Sequence, residues 1–467
     1  MRENHMIDHS YDYDIVIIGA GLTGLATAYA LRASGLRVAV VEKEARLGGV
    51  IHTEQEAGFT FEQGPNTGLI STPEVAKLLA HFPQLTQIAS AKAKRRLILK
   101  TKQGTQRFFP LPYSLASAIS TPLFTLRDKL RLLGEPLRKR GSHPEETIAS
   151  LVKRRMGRSF LDYAIDPFIG GIYAGDPDKL VTKYALPKLY LLEQEHGSFI
   201  RGAIAKARAP KDTDAQSVTK EIFSTRGGLS SLIHTLAQDL TQDQLYLSAH
   251  QAKITPQQTE GFQINFIQHG IKQKLFTHQV VTTVPAPALP SLLPFLSVRE
   301  DLAPILSLRY APIVQVVWGV DQEIPQFHAF GGLIPSHEDP YVLGILHPSA
   351  CFPDRAPEGS SLLSIFLGGM RSPELIDWSD EDILSLVRER LQRILGLSVA
   401  PTVHRIYRHR HAIPQYEASS GARFARIKEL EEAIPGLHLG GAISEGIGIP
   451  DRIKQAYRLA RTIATKR

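Results

Sequence analysis

Cysteine is almost absent from this chain of 467 residues, in which Cys351 is the only one. A single thiol excludes an internal disulfide and any metal centre built from cysteines, and we predict no metal site. Because disulfides persist in oxidising compartments, their exclusion favours a cytoplasmic location.

Long apolar runs are also missing. The most apolar stretch, residues 15–31, is interrupted by Gly19, Gly21 and Gly24, whereas a membrane-spanning helix needs about 20 consecutive apolar residues. Residues 1–14, MRENHMIDHSYDYD, are polar and acidic and lack the basic and apolar regions of a signal peptide. The sequence therefore predicts neither a membrane span nor a cleaved leader.

Acidic residues are outnumbered by basic ones, which gives a formal net charge of +8. Such a charge suits nucleic acid, an anionic membrane surface or an acidic substrate. The sequence has no zinc-finger spacing and no RNP-type aromatic motif, so we predict no nucleic-acid partner. The basic residues are densest between Arg127 and Arg158, where leucines accompany them. This region is either an ordinary solvated helix face or a basic amphipathic surface that lies on a membrane.

The N-terminal region has the pattern of a nucleotide-binding unit. Residues 13–18 are an apolar run of strand length, GAGLTG (19–24) follows in GxGxxG spacing, and residues 36–41 predict a second strand that ends at Glu42. The first glycine allows a tight turn, the second lets a pyrophosphate approach the backbone, and the third lets helix and strand pack closely. The acid would accept hydrogen bonds from ribose hydroxyls. This order predicts a dinucleotide site at the N-terminus of the helix.

The residues after the second strand indicate which dinucleotide binds. Arg46, Gly48 and Gly49 follow that strand closely, and this continuation resembles the flavin amine oxidase superfamily, in which such residues line FAD. The sequence has no second strand–GxGxxG–helix unit, so a separate NAD(P)H site is not predicted. Near the C-terminus, residues 437–439 predict a strand, and a helix is predicted from residue 450 after a glycine-rich loop. The resemblance implies that this C-terminal segment folds against the flavin ring.

Six blocks occur in the order that a narrower family shows. They are FEQGPNTG (61–68), DPFIGGIYAGDPDKL (166–180), FSTRGGL (223–229), VVTTVP (280–285), AIPQY (412–416) and EGIGIPDRIKQA (445–456). Together they resemble the oxygen-dependent porphyrinogen oxidases, the family of protoporphyrinogen oxidase and coproporphyrinogen III oxidase. The glycine-rich second block does not have the pattern of an ordinary helix or strand. It is either a bent loop between helices or a wall where backbone approaches a flat ligand.

The resemblance implies an α/β fold with three parts and a linker. They are a discontinuous, Rossmann-like FAD-binding domain of the flavin amine oxidase type (10–70, 223–295 and 400–467), a mixed-sheet substrate-binding domain (71–108 and 296–399), an α-helical membrane-binding insert (109–205) and the linker (206–222). The insert would hold the protein on the inner face of the cell membrane without spanning it.

The resemblance also implies a set of residues that contact FAD. They are Gly19, Ala20, Gly21, Leu22, Thr23, Gly24, Glu42, Lys43, Arg46, Gly49, Gly64, Pro65, Asn66, Thr67, Ala252, His409, Gly441, Ile447, Gly448 and Ile449. Two of these positions depart from the family's pattern. Ala252 stands where valine is common, and His409 stands where tryptophan is common.

For the substrate, the resemblance gives Arg96 the role of pairing with a propionate, since a guanidinium can contact a carboxylate in a bidentate manner. The alternative is a surface arginine at a strand end. The other predicted substrate contacts are Asn66 beside the flavin, Phe168, Gly170 and Gly171 in one wall, and Phe330, Leu333 and Leu346 in the opposite wall or in the core.

The activity implied by the resemblance is the oxidation of protoporphyrinogen IX to protoporphyrin IX, with O2 as acceptor and H2O2 as by-product, late in haem biosynthesis. Coproporphyrinogen III is the alternative substrate and a quinone the alternative acceptor. A flavin amine oxidase, a carotenoid desaturase and a porphyrin carrier are more distant alternatives. Flavin N5 would accept the hydride, so no catalytic side chain is predicted. Hand-over of the product to ferrochelatase and a homodimer are further expectations.

Overall fold

The computed structural model describes residues 11–91, 95–112, 114–141, 143–208, 218–258 and 260–465, so much of the predicted linker lies outside the described residues. The strands are β1 Tyr13–Ile18, β2 Val38–Val41, β3 Thr53–Glu56, β4 Phe59–Glu62, β5 Gly68–Leu69, β6 Thr86–Ile88, β7 Arg96–Lys102, β8 Thr105–Pro110, β9 Ile222–Thr225, β10 Leu245–Tyr246, β11 His250–Pro256, β12 Phe262–Gln268, β13 Ile271–Thr282, β14 Tyr310–Val320, β15 Gly331–Leu333, β16 Val342–Leu346, β17 Ser361–Gly368, β18 Val403–Pro414 and β19 Leu437–Leu439. The α-helices are α1 Leu22–Arg32, α2 Pro73–Ala80, α3 Leu115–Ser120, α4 Leu126–Leu133, α5 Ile148–Arg155, α6 Arg158–Phe160, α7 Asp166–Tyr173, α8 Thr182–Ala185, α9 Pro187–His196, α10 Phe199–Arg208, α11 Ser230–Ala237, α12 Leu289–Leu292, α13 Ala303–Leu306, α14 Pro348–Cys351, α15 Asp380–Leu395, α16 Ser420–Ala433 and α17 Ile449–Ala464.

The first sheet is built around the apolar strand β1. This strand pairs in parallel with β2 on one side and β13 on the other, and β10 and β19 add further parallel pairs at β2 and β13. The antiparallel strands β12 and β11 extend the sheet beyond β13. Helices α1, α11 and α17 cover one face. Because both faces are buried, β1 and β2 are almost entirely apolar, as in other parallel sheets covered by helices.

The second sheet is mixed and has the strand order β18-β14-β17-β16-β15-β7-β8. The pair of β7 and β15 is parallel, and the other neighbours are antiparallel. Helix α15 buries Ile383, Val387, Leu391 and Leu395, which recur at helical spacing, against one face of the sheet. Strand β18 pairs in this sheet, although the predicted domain division groups it with the FAD-binding part. The domain boundaries themselves stay a prediction.

Helices α3 to α10 follow one another in the chain and form a helical region that packs against the second sheet. Arg155 lies at its centre, fully buried, and its guanidinium contacts the carboxylates of Glu135 and Glu193, each at 2.6 Å. Breaking such a buried ion pair costs about 3–5 kcal/mol, because the remaining charge is left uncompensated. This network therefore ties α5 to α9 and to the turn that follows α4. Among the described residues, no helix combines the length and apolar character needed to cross a bilayer.

One local prediction differs from the structure. The first half of the glycine-rich second block is helical, because α7 continues directly from a π-helical turn at Leu161–Ile165. Pro167, which has no N–H to donate, lies where the π-helical turn gives way to α7. The block VVTTVP begins in β13, which stops at Thr282. Pro285 then leads into helical turns, since proline cannot donate to a strand ladder.

Candidate functional site

The turn after β1 has no room for larger residues at two of its glycines. Gly19 has a φ of +108°, and a Cβ there would lie 2.5 Å from the Oγ1 of Thr283. A Cβ on Gly24 would lie 2.0 Å from the carbonyl oxygen of Gly19. These two glycines therefore let α1 start directly against the end of β1. Leu22 and Thr23 are buried in the first turn of α1.

The middle glycine of this turn, Gly21, faces open space. A Cβ at this position would meet no protein atom within 4 Å. The backbone of Gly48 bonds to the same turn through its N–H, which donates to the carbonyl of Ala20 at 2.9 Å. A Cβ on Gly49 would come within 3.4 Å of the Cα of Gly21. The turn and the Gly48–Gly49 segment thus leave a backbone-lined space at the uncapped N-terminus of α1, which suits a pyrophosphate.

Glu42 ends β2 next to this turn. Its buried carboxylate accepts hydrogen bonds from the N–H of Ala20 at 2.7 Å and from the N–H of Glu44 at 2.9 Å. The N–H of Ala249 donates to the carbonyl of Glu42 at 2.9 Å, so the start of β11, which carries Ala252, lies beside it. The carboxylate is therefore fixed where an adenosine ribose would follow the pyrophosphate.

Two of the residues predicted to contact FAD, Lys43 and Arg46, lie on the surface. Lys43 is exposed and pairs with Glu44 at 3.3 Å. Arg46 is also exposed, and its guanidinium donates to the carbonyl of Leu47 at 3.3 Å. Neither side chain is buried in the space beside Gly21.

The C-terminal loop is held against the N-terminal turn by a residue that the sequence reasoning missed. The Oγ1 of Thr283 donates to the carbonyl of Gly19 at 3.3 Å, and a Cβ on Gly441 would lie 2.7 Å from the carbonyl oxygen of Thr283. The signal for Thr283 was its place in the block VVTTVP. Gly448 caps α17, and its N–H donates to the carboxylate of Asp451 at 3.1 Å.

The predicted flavin contacts at residues 64–67 lie between these elements and β18. A Cβ on Gly64 would lie 2.3 Å from the carbonyl oxygen of Val50. The amide of Asn66 donates to the carbonyl of Gly64 at 3.0 Å and accepts from Ser364 at 3.2 Å. The Nε2 of His409 donates to the carbonyl of Gln63 at 2.7 Å. This single loop therefore joins the Gly48–Gly49 segment to the second sheet. Pro65 and Thr67 belong to the same loop.

Four of the predicted substrate contacts come together at the second sheet. Asn66, Phe330 and Leu346 line one small cleft, together with Thr67. Arg96 is exposed at the start of β7, and its Cζ lies 5.7 Å from the centroid of the Phe330 ring. Phe330 therefore connects Arg96 to the cleft, which Glu62 and Arg355 also line.

Helix α7 explains the glycines of the second block. A Cβ on Gly171 would lie 2.4 Å from the Cδ2 of Leu333, and one on Gly170 would lie 2.8 Å from a guanidinium nitrogen of Arg371. The two glycines therefore let α7 approach the second sheet closely. Phe168, Leu333 and Ile447 pack against one hydrophobic cluster, so this helix also adjoins the C-terminal loop.

A sequence profile described as "Flavin containing amine oxidoreductase" matches residues 22–464. The chain is 28% identical over 493 residues to protoporphyrinogen oxidase 2, chloroplastic/mitochondrial, of Arabidopsis thaliana, with 98% of this chain and 95% of that protein covered. It is also 28% identical over 463 residues to coproporphyrinogen III oxidase of Bacillus subtilis (strain 168), with 94% and 96% covered. The solved structure of a protein provisionally named protoporphyrinogen oxidase, from Exiguobacterium sp. 255-15, matches with a TM-score of 0.78 at 24% identity, covering 97% of this chain and 99% of that one. These findings confirm the predicted resemblance and the predicted flavin amine oxidase fold.

Proposed function

Because the chain belongs to the flavin-containing amine oxidoreductase family, we propose that it oxidises protoporphyrinogen IX to protoporphyrin IX with O2 as electron acceptor. The chain is a flavin-dependent oxidoreductase, and its cofactor is FAD. Two relatives named for porphyrinogen oxidation support this class of substrate. The supporting observation in the structure is the position of Arg96 over Phe330, at the edge of the cleft that Asn66 lines.

The residues around the N-terminal turn fit FAD. The open space at Gly21 would hold the pyrophosphate, where the N-terminus of α1 supplies amides and the positive end of a helix dipole. Glu42 would hold the ribose hydroxyls, and Ile447 to Ile449 would lie at the ring. When bound, FAD supplies the redox chemistry by accepting the electrons that oxidation of the substrate releases.

The chain's own contribution is to bind and orient the substrate. Arg96 would pair with a propionate carboxylate. Its guanidinium is exposed and therefore accessible to this group of the substrate. Phe330, Leu346 and Leu333 would offer an apolar surface to the pyrroles, and Asn66 would lie between this surface and the cofactor. Complete oxidation to the porphyrin takes place in three rounds, each of which converts one O2 to H2O2.

We assign the contact with a membrane surface to four exposed leucines, which we call the leucine patch. They are Leu126, Leu130, Leu133 and Leu137, with exposed fractions of 74%, 61%, 54% and 86%. The first three share one face of α4 by their spacing. Exposed basic residues, Arg127, Lys139 and Arg140, accompany the patch. Apolar side chains bordered by cations favour an anionic lipid surface, so the protein would lie peripherally on the inner face of the cell membrane.

The expected hand-over to ferrochelatase and the homodimer stay predictions.

The test of the proposed substrate class is bleaching of the bound flavin without oxygen. Under anaerobic conditions, protoporphyrinogen IX is expected to remove the flavin's absorbance near 450 nm at a saturable rate, whereas primary amines leave it unchanged. Reduction by amines and not by porphyrinogen would favour an amine oxidase. Tight porphyrin binding without any bleaching would favour a carrier.

Coproporphyrinogen III is the second candidate substrate. The observation that favours it is that the Bacillus subtilis coproporphyrinogen III oxidase is as similar to this chain, at 28% identity, as the Arabidopsis protoporphyrinogen oxidase. Coproporphyrinogen III carries four propionates and protoporphyrinogen IX carries two, so the same Arg96 contact serves both.

A further inference from the structure

Arg423 is a buried arginine without a carboxylate partner among the described residues. Its side chain lies on α16 and is 1% exposed. Its Nη2 donates to the hydroxyl of Ser420 at 3.3 Å, whereas Nε and Nη1 have no hydrogen-bond partner within the part of the chain that the structure describes. By contrast, Arg426 on the same helix pairs with Asp301 and, at 3.0 Å, with Glu429.

A second arginine, Arg452, lies partly buried in the first turns of α17. Its Nη2 donates to the carbonyl of Gly446 at 3.0 Å, and its Nη1 donates to the Oε1 of Gln455 at 3.2 Å. Its Nε has no hydrogen-bond partner in the described ranges. Burial lowers the pKa of Arg452 and that of Arg423, because both charges are poorly solvated. Both hydrogen-bond partners of Arg452 are neutral, so no direct contact compensates its positive charge.

Tyr416 connects the two arginines to one loop. Its ring centroid lies 5.7 Å from the Cζ of Arg423, and its hydroxyl donates to the carbonyl of Gly446 at 3.1 Å. The same carbonyl accepts from Arg452. Arg452 therefore contacts the loop of residues 446–448 directly, and Arg423 is linked to it through Tyr416. Helix α17 begins after this loop with the positive end of its dipole.

Few negative charges oppose them at this loop. The carboxylate of Asp451 accepts from the N–H groups of Ile447 and Gly448, at 3.2 and 3.1 Å, and so partly compensates the helix end. Glu445 is half exposed and already pairs with Arg458. The field at the loop is consequently positive.

An unpaired buried charge destabilises a folded chain, because it loses its hydration without gaining an ionic partner. A chain that keeps one such charge, Arg423, and the partly buried Arg452 near one loop is suited to an anion that it does not itself supply. FAD reduced by two electrons with uptake of one proton carries a negative charge on its ring. We propose that Arg423 and Arg452 are positioning residues that stabilise the anionic reduced form of the bound FAD across the loop of residues 446–448. This inference rests on the FAD site of the proposed function but not on the identity of the substrate.

The test compares Arg423→Met and Arg452→Met with Arg426→Met, a control whose charge is already paired. The two-electron midpoint potential of the bound flavin is measured by equilibration with a redox dye. Each test variant is expected to lower the equilibrium constant for reduction about tenfold, which corresponds to about 30 mV for a two-electron couple. Affinity for sulfite, which adds to the oxidised ring to give an anion, is expected to fall in parallel. Arg423→Lys should restore both values, because it keeps the charge.

The thermal stability of the apoprotein separates this role from a structural one. Arg423→Met should leave the apoprotein as stable as the wild type or more stable, because the buried charge is uncompensated without FAD. A loss of apoprotein stability combined with potentials equal to those of the Arg426→Met control would overturn the proposal. Should Arg452→Met fail to fold, Arg423→Met and Arg452→Gln decide the question by the same two measurements. Neither measurement uses a porphyrinogen, so failure here is distinct from failure of the proposed substrate.

Discussion

The imidazole of His409 lies 2.7 Å, through Nε2, from the carbonyl oxygen of Gln63. Because a carbonyl oxygen can only accept, Nε2 carries the proton of this hydrogen bond. Burial lowers the pKa of His409 below its ordinary value of 6.5, although the bond to Gln63 opposes the shift. The ring is therefore neutral at pH 7 and anchors β18 to the loop that contains Asn66.

This lowered pKa predicts a pH dependence of stability. As pH falls below about 6.5, the unfolded chain takes up a proton at His409 while the folded chain does not, so the free energy of unfolding decreases by up to about 1.4 kcal/mol per pH unit. The loss continues until the pH reaches the pKa of His409 in the folded chain.

His409→Gln keeps a donor for Gln63 but cannot titrate, so its stability should fall less steeply in this window. Denaturant unfolding between pH 7 and 5 measures the difference. A His250→Gln control, at an exposed position on β11, keeps the wild-type slope; equal slopes for all three proteins would refute the assignment.

The N-terminal turn predicts opposite behaviour for two neighbouring glycines. Gly21→Ala is expected to leave the apoprotein as stable as the wild type, or more stable by about 0.4–1 kcal/mol, because alanine adopts its φ of −74° and meets no protein atom. Its methyl group would occupy the pyrophosphate space, so FAD affinity should fall at least about tenfold, a cost of about 1.4 kcal/mol. Thermal unfolding of the apoprotein and titration with FAD measure the two effects.

Gly24→Ala serves as the matched comparison. Its Cβ would lie 2.0 Å from the carbonyl oxygen of Gly19, so the apoprotein itself should lose about 1–3 kcal/mol or more. If Gly21→Ala destabilised the apoprotein as much as Gly24→Ala and still bound FAD normally, the pyrophosphate would not lie at Gly21.

The role of Arg96 is tested by its removal. Arg96→Ala should raise KM for the porphyrinogen about tenfold to a hundredfold, since a hydrogen bond to a charged group contributes about 1.5–3 kcal/mol. The melting temperature should stay unchanged because the side chain is exposed. Arg95→Ala is the control, since Arg95 is also exposed and its backbone carbonyl still accepts from Phe330. Equal KM values for the two variants would mean that Arg96 is a surface arginine that does not contact the substrate.

The leucine patch predicts binding to anionic vesicles. Leu130→Glu should weaken co-flotation with phosphatidylglycerol liposomes about tenfold or more, because burying a leucine contributes about 1.5–3 kcal/mol. Ile271→Glu is the control, at an apolar residue that is 63% exposed on β13 and far from α4 in the sequence. Both variants should fold normally. A wild-type protein that stays entirely in the aqueous fraction would contradict membrane association.

The two ends of the chain were predictable because their signals are local. The strand, glycines, helix and acid of residues 13–42 follow one another directly, and the helix after the glycine loop begins at Ile449, next to the predicted Pro450. Helix α7 was not predicted, since its two glycines are poor helix formers. Gly171 is needed because it lies against Leu333, and Gly170 because it lies against Arg371, and both partners are far away in the sequence.

The candidate site also depends on contacts between residues that are distant in the sequence. The pairing of β18 with β14 and the bond between His409 and Gln63 join residues that are far apart in the sequence. The exposed Arg96 and the buried Arg423 are both arginines in basic stretches of the sequence, and burial alone separates their roles. A pattern of residue types identifies which residues to consider, whereas tertiary packing decides which of them meet.

The proposed oxidation is measured by the rate at which porphyrin fluorescence appears in air, with protoporphyrinogen IX and coproporphyrinogen III supplied in turn to the FAD-loaded protein and to a protein-free control. We expect a saturable rate with protoporphyrinogen IX that exceeds both the spontaneous rate and the rate with coproporphyrinogen III. A preference for coproporphyrinogen III would keep the porphyrinogen oxidase reaction and correct the substrate. Rates equal to the spontaneous one for both compounds would contradict the proposed function.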